Sequence, residues 1–326
     1  MTVKLRDVAL KAGVSVSTVS NVLNSYTRSG IKQETCDRVR KVAQEMGYRP
    51  NALARSLKVQ RTNTIGFYTG YGSRDARDRF RAEIYTGLQA ACDNYNFDFH
   101  LPGNLSGKSP EEIRMRLCDG RVDGVIVLAS HDDPTVKCLI ESRLPAVAIV
   151  DRHGSMPSVT GSDELGMQLL VDHLWRRGHK RMMYLEPHEP KESITNRINT
   201  FTRTLSGHGG TALVERYPWD DPQTFLRDLL KQEDRPTVLC SFNDDSAYIL
   251  LRRFREMGIE CPKDIALAGY DGLLGGNASQ RDLLTVGVRW ERIAFEGVRL
   301  LEQLIEGNDV PLLTCFPPHL IEGDTV

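Results

Sequence analysis

Apolar residues recur along the first fifty positions at helical spacing. Val8, Ala9 and Ala12 form one short stripe and Val19, Val22 and Leu23 a second. Val14 and Gly13 lie between them. This pattern predicts two short helices joined by a tight turn and sharing one small core. Gly13 sits where the turn needs a residue free of Cβ strain, and Ser15 is placed to cap the second helix. Val39, Val42, Ala43 and Met46 recur at i, i+3, i+4 and i+7, predicting a third helix over 33–46 that Gly47 can end. The run 52–58 has helix-forming composition but spans only about two turns, too short to persist without a partner. Residues 59–63 are polar and linker-like.

From Thr64 the texture changes to short apolar strands alternating with helices. Strands are predicted at 65–68, 97–99, 122–129 and 145–150, with a helix face at Phe80, Ile84, Leu88 and Ala91. A second series follows: a helix near 165–175, a strand at 181–185, a helix near 194–205, a strand at 238–242, a helix near 246–257 and a strand at 265–270. A long helix through Ala294, Val298, Leu301 and Ile305 closes the pattern. Such alternation implies parallel sheets covered on both faces. Two series over roughly 250 residues imply two Rossmann-like subdomains with a cleft between them. No internal repeat or low-complexity segment interrupts the chain.

Charge sharpens this division. Residues 1–61 hold 12 Lys/Arg against 4 Asp/Glu, whereas the rest holds 30 against 39, although the whole chain nets only −1. A basic head on an acidic body is the footprint of polyanion binding through the head. The 7 cysteines are scattered, odd in number and without a C-x-x-C pair, so they read as reduced thiols rather than a metal site or disulfide framework. No apolar run approaches the roughly 20 residues of a membrane span and the N-terminus lacks an apolar signal region, so a cytoplasmic protein without a membrane partner is expected. On the second short helix, Val16, Ser17, Ser20 and Asn21 fall near the exposed start, and small apolar and short polar side chains there suit the major groove of DNA.

The run Asp7-Val8-Ala9…Ala12-Gly13-Val14-Ser15…Thr18-Val19-Ser20…Val22-Leu23-Asn24 resembles the helix-turn-helix of the lactose-repressor (LacI/GalR) transcription regulators, and residues 47–57 resemble that family's hinge. The resemblance continues through Asp163-Glu164-Leu165-Gly166, Phe242-Asn243-Asp244, residues 262–271 and Leu284-Thr285-Val286, in order and over essentially the whole chain. It implies an α/β protein with an N-terminal all-α helix-turn-helix head and a periplasmic-binding-protein-like body of two Rossmann-like subdomains joined by three crossovers. The implied divisions are a head over 1–50, a hinge over 51–63 and an effector-binding and dimerisation body over 64–326. Within the body, 64–162 plus 289–316 would form one subdomain and 163–288 the other. The implied function is a repressor acting as a homodimer on a near-palindromic, double-stranded operator under control of a small effector, most simply a sugar or sugar derivative. No cofactor and no metal are implied. No heptad-bearing tail follows Pro317-Pro318, so a dimer rather than a coiled-coil tetramer is expected.

The resemblance also assigns residues. Val16, Ser17 and Asn21 take the base-reading positions, where a valine can pack on a thymine methyl and an asparagine can bond adenine at two atoms. Thr18 and Arg6 would meet phosphate, and Lys4, Arg28 and Arg49 are further phosphate candidates. Tyr48, Asn51, Ala54, Leu57 and Lys58 would complete the DNA contact, with Leu57 as the wedge that enters the minor groove. Lys4 and Lys32 stand where the family places hydroxyl caps, and lysine cannot accept a bond from an exposed N–H. Effector contacts are implied at Tyr71, Phe80, Asp151, Arg197, Trp219, Asn243 and Asp271. Asp244 is read as the cap of the helix it begins. If Arg81 joins Arg197 in the cleft, the effector would carry a carboxylate or phosphate. The competing classes are an α/β enzyme and a solute-binding protein. Against the first, there is no G-x-x-x-x-G-K-[ST] and no G-x-S-x-G, and no third glycine follows Gly70 and Gly72 at the dinucleotide-site spacing. The second fits the body but leaves the head unexplained.

Overall fold

The computed structural model describes residues 3–23, 30–49, 61–70, 78–103, 105–188, 191–273 and 282–326. The chain divides into two compact units, 1–62 and 63–326.

In the first unit, helices α1 (Leu5–Ala12), α2 (Val16–Leu23) and α3 (Gln33–Glu45) enclose the expected core. Val8, Ala9, Ala12, Val19 and Val22 are buried together with Val39, Val42 and Ala43. Gly13 adopts φ +66, ψ +37, and the amide of Val14 returns to the Ala9 carbonyl at 3.1 Å, closing α1 with a left-handed turn. Ser15 caps α2 as expected, its hydroxyl accepting from the Thr18 amide at 3.0 Å. Neither Lys4 nor Lys32 makes a side-chain cap. At α1 the Asp7 carboxylate instead accepts from the Lys4 amide at 2.8 Å, so half of a capping box works without a hydroxyl.

The second unit contains two six-stranded sheets. Its elements are β1 (Thr64–Thr69), α4 (Arg79–Tyr95), β2 (Asp98–His100), α5 (Pro110–Leu117), β3 (Gly124–Leu128), α6 (Pro134–Ile140), β4 (Ala146–Ile149), β5 (Ser158–Gly161), α7 (Asp163–Arg176), β6 (Arg181–Glu186), α8 (Glu192–Gly207), β7 (Thr211–Arg216), α9 (Pro222–Leu230), β8 (Val238–Ser241), α10 (Asp244–Met257), β9 (Ala266–Asp271), β10 (Leu284–Gly287), α11 (Trp290–Ile305), β11 (Leu313–Phe316) and β12 (His319–Ile321). The first sheet runs β11-β5-β4-β3-β1-β2 and is parallel throughout. The second runs β12-β10-β9-β8-β6-β7, parallel except that β12 pairs antiparallel with β10. That reversal corrects the all-parallel expectation. β12 follows β11 of the other lobe after only Pro317-Pro318 and pairs along the edge of β10, with Thr285 opposite Ile321 and Gly287 opposite His319.

The chain passes between lobes three times: between β5 and α7, between β10 and α11, and between β11 and β12. Central strands are buried on both faces; β3, for example, is buried at every residue. Gly87 lets α4 lie directly on α11. A Cβ there would sit 2.0 Å from the Glu291 carbonyl oxygen, so only glycine permits this approach. Among the described residues no helix is long and apolar enough to cross a membrane, and no cluster of His, Cys, Asp or Glu could hold a metal ion. All 7 cysteines are free.

Candidate functional site

The first unit offers one surface suited to reading DNA. Val19 and Val22 turn one side of α2 into the core, which leaves Val16, Ser17, Ser20 and Asn21 along its other side. Val16 is 44% exposed, so it is not part of the core. The Ser15 hydroxyl bonds the hydroxyls of Ser17 at 2.7 Å and Thr18 at 2.8 Å, fixing the first turn of α2. Arg6, Lys4 and Arg49 are exposed and Tyr48 is half-buried against the core. Arg28, Asn51, Ala54, Leu57 and Lys58 lie outside the described residues.

In the second unit, a cavity of about 280 Å³ opens between the carboxyl ends of the strands of both lobes. Phe80, Arg197, Asn243 and Asp271 line it, as expected. Asp151 and Trp219 do not. Asp151 is buried beside it, where its charge acts on Asp163 and His153. Trp219 packs on Tyr217 with ring centroids 4.3 Å apart and remains 44% exposed. Tyr71 lies outside the described residues. A hollow of about 310 Å³ on the outer side of α10, lined by Tyr248, Leu251 and Arg255 among others, is slightly larger but lies away from the strand ends.

Arg197 organises the cavity floor. Its Nε donates to Asp163 Oδ1 at 2.7 Å and its Nη1 to the Phe242 carbonyl at 3.3 Å. Its Nη1 stands 4.0 Å from Asp271 Oδ1, and the guanidinium lies 3.6 Å over the Tyr270 ring. Burial pushes Asp271 well above the usual carboxylate range, with Arg197 opposing it. Burial likewise raises Asp163, against the pull of the same guanidinium. Asp271 also carries a positive backbone φ of 115°, rarely adopted outside glycine.

The cap expected at Asp244 falls instead to Asn243, which also lines the cavity. Asn243 is the cap of α10, its Oδ1 accepting from the Ser246 amide at 2.9 Å. Asp244 is fully buried and reaches across to Thr285 Oγ1 at 2.6 Å and the Leu273 amide at 2.6 Å. The reason is position: Asn243 has the extended backbone of a cap, with φ −154° and ψ 169°, whereas Asp244 is already helical. Asp244 thus pins the chain just past the end of β9, where Asp271 lies, to β10, and burial pushes its carboxyl up to about 7.

The structure adds lining residues the sequence did not single out: Asp78, Val150, Lys191, Ser193, Ile194, Phe242, Asp245 and Trp290. Phe80 meets Trp290 edge to face with centroids 4.9 Å apart, giving the cavity an aromatic wall. Arg81 also lines the cavity and is 7% exposed, with its Nε 3.2 Å from Asp78 Oδ2.

A family model described as "Bacterial regulatory proteins, lacI family" matches residues 4–51, and one described as "Periplasmic binding protein-like domain" matches 171–326. The HTH-type transcriptional repressor PurR of Vibrio atlanticus (strain LGP32) is 30% identical over 99% of this chain and 98% of its own. The chain belongs to the lacI family of bacterial regulatory proteins. As a member of that family it is a DNA-binding transcriptional repressor with an effector-binding domain, not an enzyme. PurR of Vibrio vulnificus (strain CMCP6) is 29% identical with the same coverage. In fold, this lacI-family chain matches the lac repressor dimer bound to operator and the anti-inducer ONPF, with TM-score 0.84, 24% identity and coverage of 100% and 99% of the two chains. It also matches a transcriptional regulator CelR–cellobiose complex, with TM-score 0.70, 24% identity and coverage of 99% and 100%.

Proposed function

We propose that this repressor acts as a homodimer on a near-palindromic operator, and that a sugar or sugar derivative bound in the interlobe cavity sets its operator affinity. The observation that carries the effector reading is the composition of the cavity. An aromatic wall of Phe80 and Trp290 faces a floor where Arg197, Asn243 and Asp271 bring donors and acceptors together at strand ends. Flat apolar rings opposite paired donors and acceptors suit the faces and vicinal hydroxyls of a sugar. Val16, Ser17 and Asn21 select the half-site, with Arg6, Thr18, Tyr48, Asn51, Ala54 and Lys58 supporting and Leu57 wedging the minor groove. Two-fold symmetry in the dimer then mirrors the operator. An effector that prefers one arrangement of the lobes shifts DNA affinity, and DNA shifts effector affinity equally, typically by about 1–3 kcal/mol.

Arg81 favours a narrower version. With Arg81 and Arg197 both at the cavity, a sugar bearing a carboxylate or phosphate gains a charge-assisted bond that a neutral sugar lacks. A thermal-shift screen of neutral sugars, sugar acids and sugar phosphates, repeated on Arg81→Ala, tests this. Stabilisation by an acid or phosphate that is lost in the variant supports the anionic ligand; stabilisation by a neutral sugar that survives in the variant refutes it. Operator titration by mobility shift, with and without the ligand found, tests the switch. Leu57→Ala weakens operator binding while leaving the ligand-induced thermal shift intact; undiminished operator affinity would remove its wedge role.

A further inference from the structure

Cavity and lobe contact meet in one turn of helix. α4 opens with Arg79-Phe80-Arg81 behind the cap Asp78, whose Oδ1 accepts from the Arg81 amide at 3.2 Å. Phe80 and Arg81 line the cavity from the first lobe. Arg79, between them and the cap, reaches the other lobe: its Nη2 and Nε donate to Asp245 Oδ1 at 2.7 and 3.0 Å. Its guanidinium carbon also lies 5.0 Å from the centroid of the Tyr248 ring, three residues further along α10. Asp245 itself lines the cavity.

We propose that Arg79 and Asp245, backed by Tyr248, form an interlobe latch at the cavity rim that sets how often the body stands closed before any effector arrives. Both ends rest on rigid supports. α4 is held against α11 at Gly87, and α10 packs on β8 and β9 of the other lobe. A second pair across the cleft, His131 Nδ1 and Glu192 Oε2, stands 4.0 Å apart, beyond hydrogen-bond reach, so Arg79–Asp245 is the tighter tie. An ion pair this exposed, 34% and 39% for its side chains, adds little to global stability. It matters here because, in a two-state lobe equilibrium, a shift of about two- to fivefold is enough to retune ligand affinity. Asp245 faces both the latch and the ligand, so an effector that engages or displaces it acts on the latch directly.

The regulatory consequence rests on the cavity being the effector site, but the latch does not, so its test uses neither effector nor DNA. Amide hydrogen exchange is compared for the full chain, Arg79→Gln, Asp245→Asn and the charge-swapped pair Arg79→Asp with Asp245→Arg. Each single substitution should raise exchange at the first turns of α4 and α10 by about two- to fivefold while β8 and β9 keep their protection. The swapped pair should recover part of that loss. Unchanged exchange at both turns in the single variants, or a swapped pair whose effects simply add, would overturn the latch and leave the repressor reading standing. If the charge-swapped chain does not fold, the double variant Arg79→Gln with Asp245→Asn decides: losses no greater than either single support the latch, and additive losses refute it.

Discussion

Replacing Arg197 by methionine isolates what holds the cavity floor. The substitution keeps a long side chain over Tyr270 but removes the guanidinium that lies 2.7 Å from Asp163. The Asp163 side chain is 19% exposed, so its charge loses its partner in a place water reaches poorly. Breaking a buried pair from one side costs about 3–5 kcal/mol. For a body of this size that corresponds to a fall in Tm of roughly 10 °C. The sign with pH follows from the carboxyl. Burial already favours protonated Asp163, and without Arg197 nothing opposes it. A folded-state pKa raised above the unfolded value gives stability that is full at low pH and is lost as pH rises through the folded value. The deficit of Arg197→Met relative to the parent should therefore be largest near neutral pH and shrink toward about pH 4–5. Urea unfolding of both chains across this range is the assay. A deficit below about 1 kcal/mol at pH 7, or one that does not change with pH, would refute the account of Asp163 as the uncompensated charge.

Asp244→Asn should flatten part of the stability–pH profile. Burial raises Asp244 to about 7, so its neutral form stabilises the fold at low pH and that contribution declines between the ordinary aspartate range and about 7. The parent should lose on the order of 1 kcal/mol per pH unit there from this group, whereas the asparagine variant loses less; parallel profiles in urea titrations would count against it. Gly87→Ala puts a Cβ 2.0 Å from the Glu291 carbonyl oxygen and should cost about 1–3 kcal/mol, read as a lowered Tm. Asn21→Ala should weaken specific operator binding by about 1–3 kcal/mol with non-specific binding and head folding unchanged, measured by mobility shift against random DNA. Equal weakening on both DNAs would move Asn21 from base to phosphate contact.

Much of this fold was legible because periodicity reports burial, and burial is what the core enforces. The three head helices and the strand–helix alternation from Thr64 onward appear near the predicted positions. Three helices of the body were overlooked although each carried a start signal. Ser109-Pro110 with Glu112 forms a full capping box on α5, while Asp133-Pro134 and Asp221-Pro222 cap α6 and α9. Their apolar stripes are short, so the hydrophobic pattern alone was too weak to mark them. Edge strands such as β7, largely exposed, lack the apolar run that reveals central strands.

Sequence alone determined the head, its turn and cap, the two-lobed α/β plan and the exposed side of α2, because each depends on spacing within a few residues. Tertiary structure decided what lines the cavity. It put Phe242, Trp290 and Asp245 there, left Trp219 outside, and turned Asp244 from a cap into a pin on the segment just past β9. It also set Arg79 against Asp245, residues 166 positions apart that share no local pattern. Such pairings depend on how two sheets built from interleaved segments are brought together, and no periodicity within one segment encodes that approach.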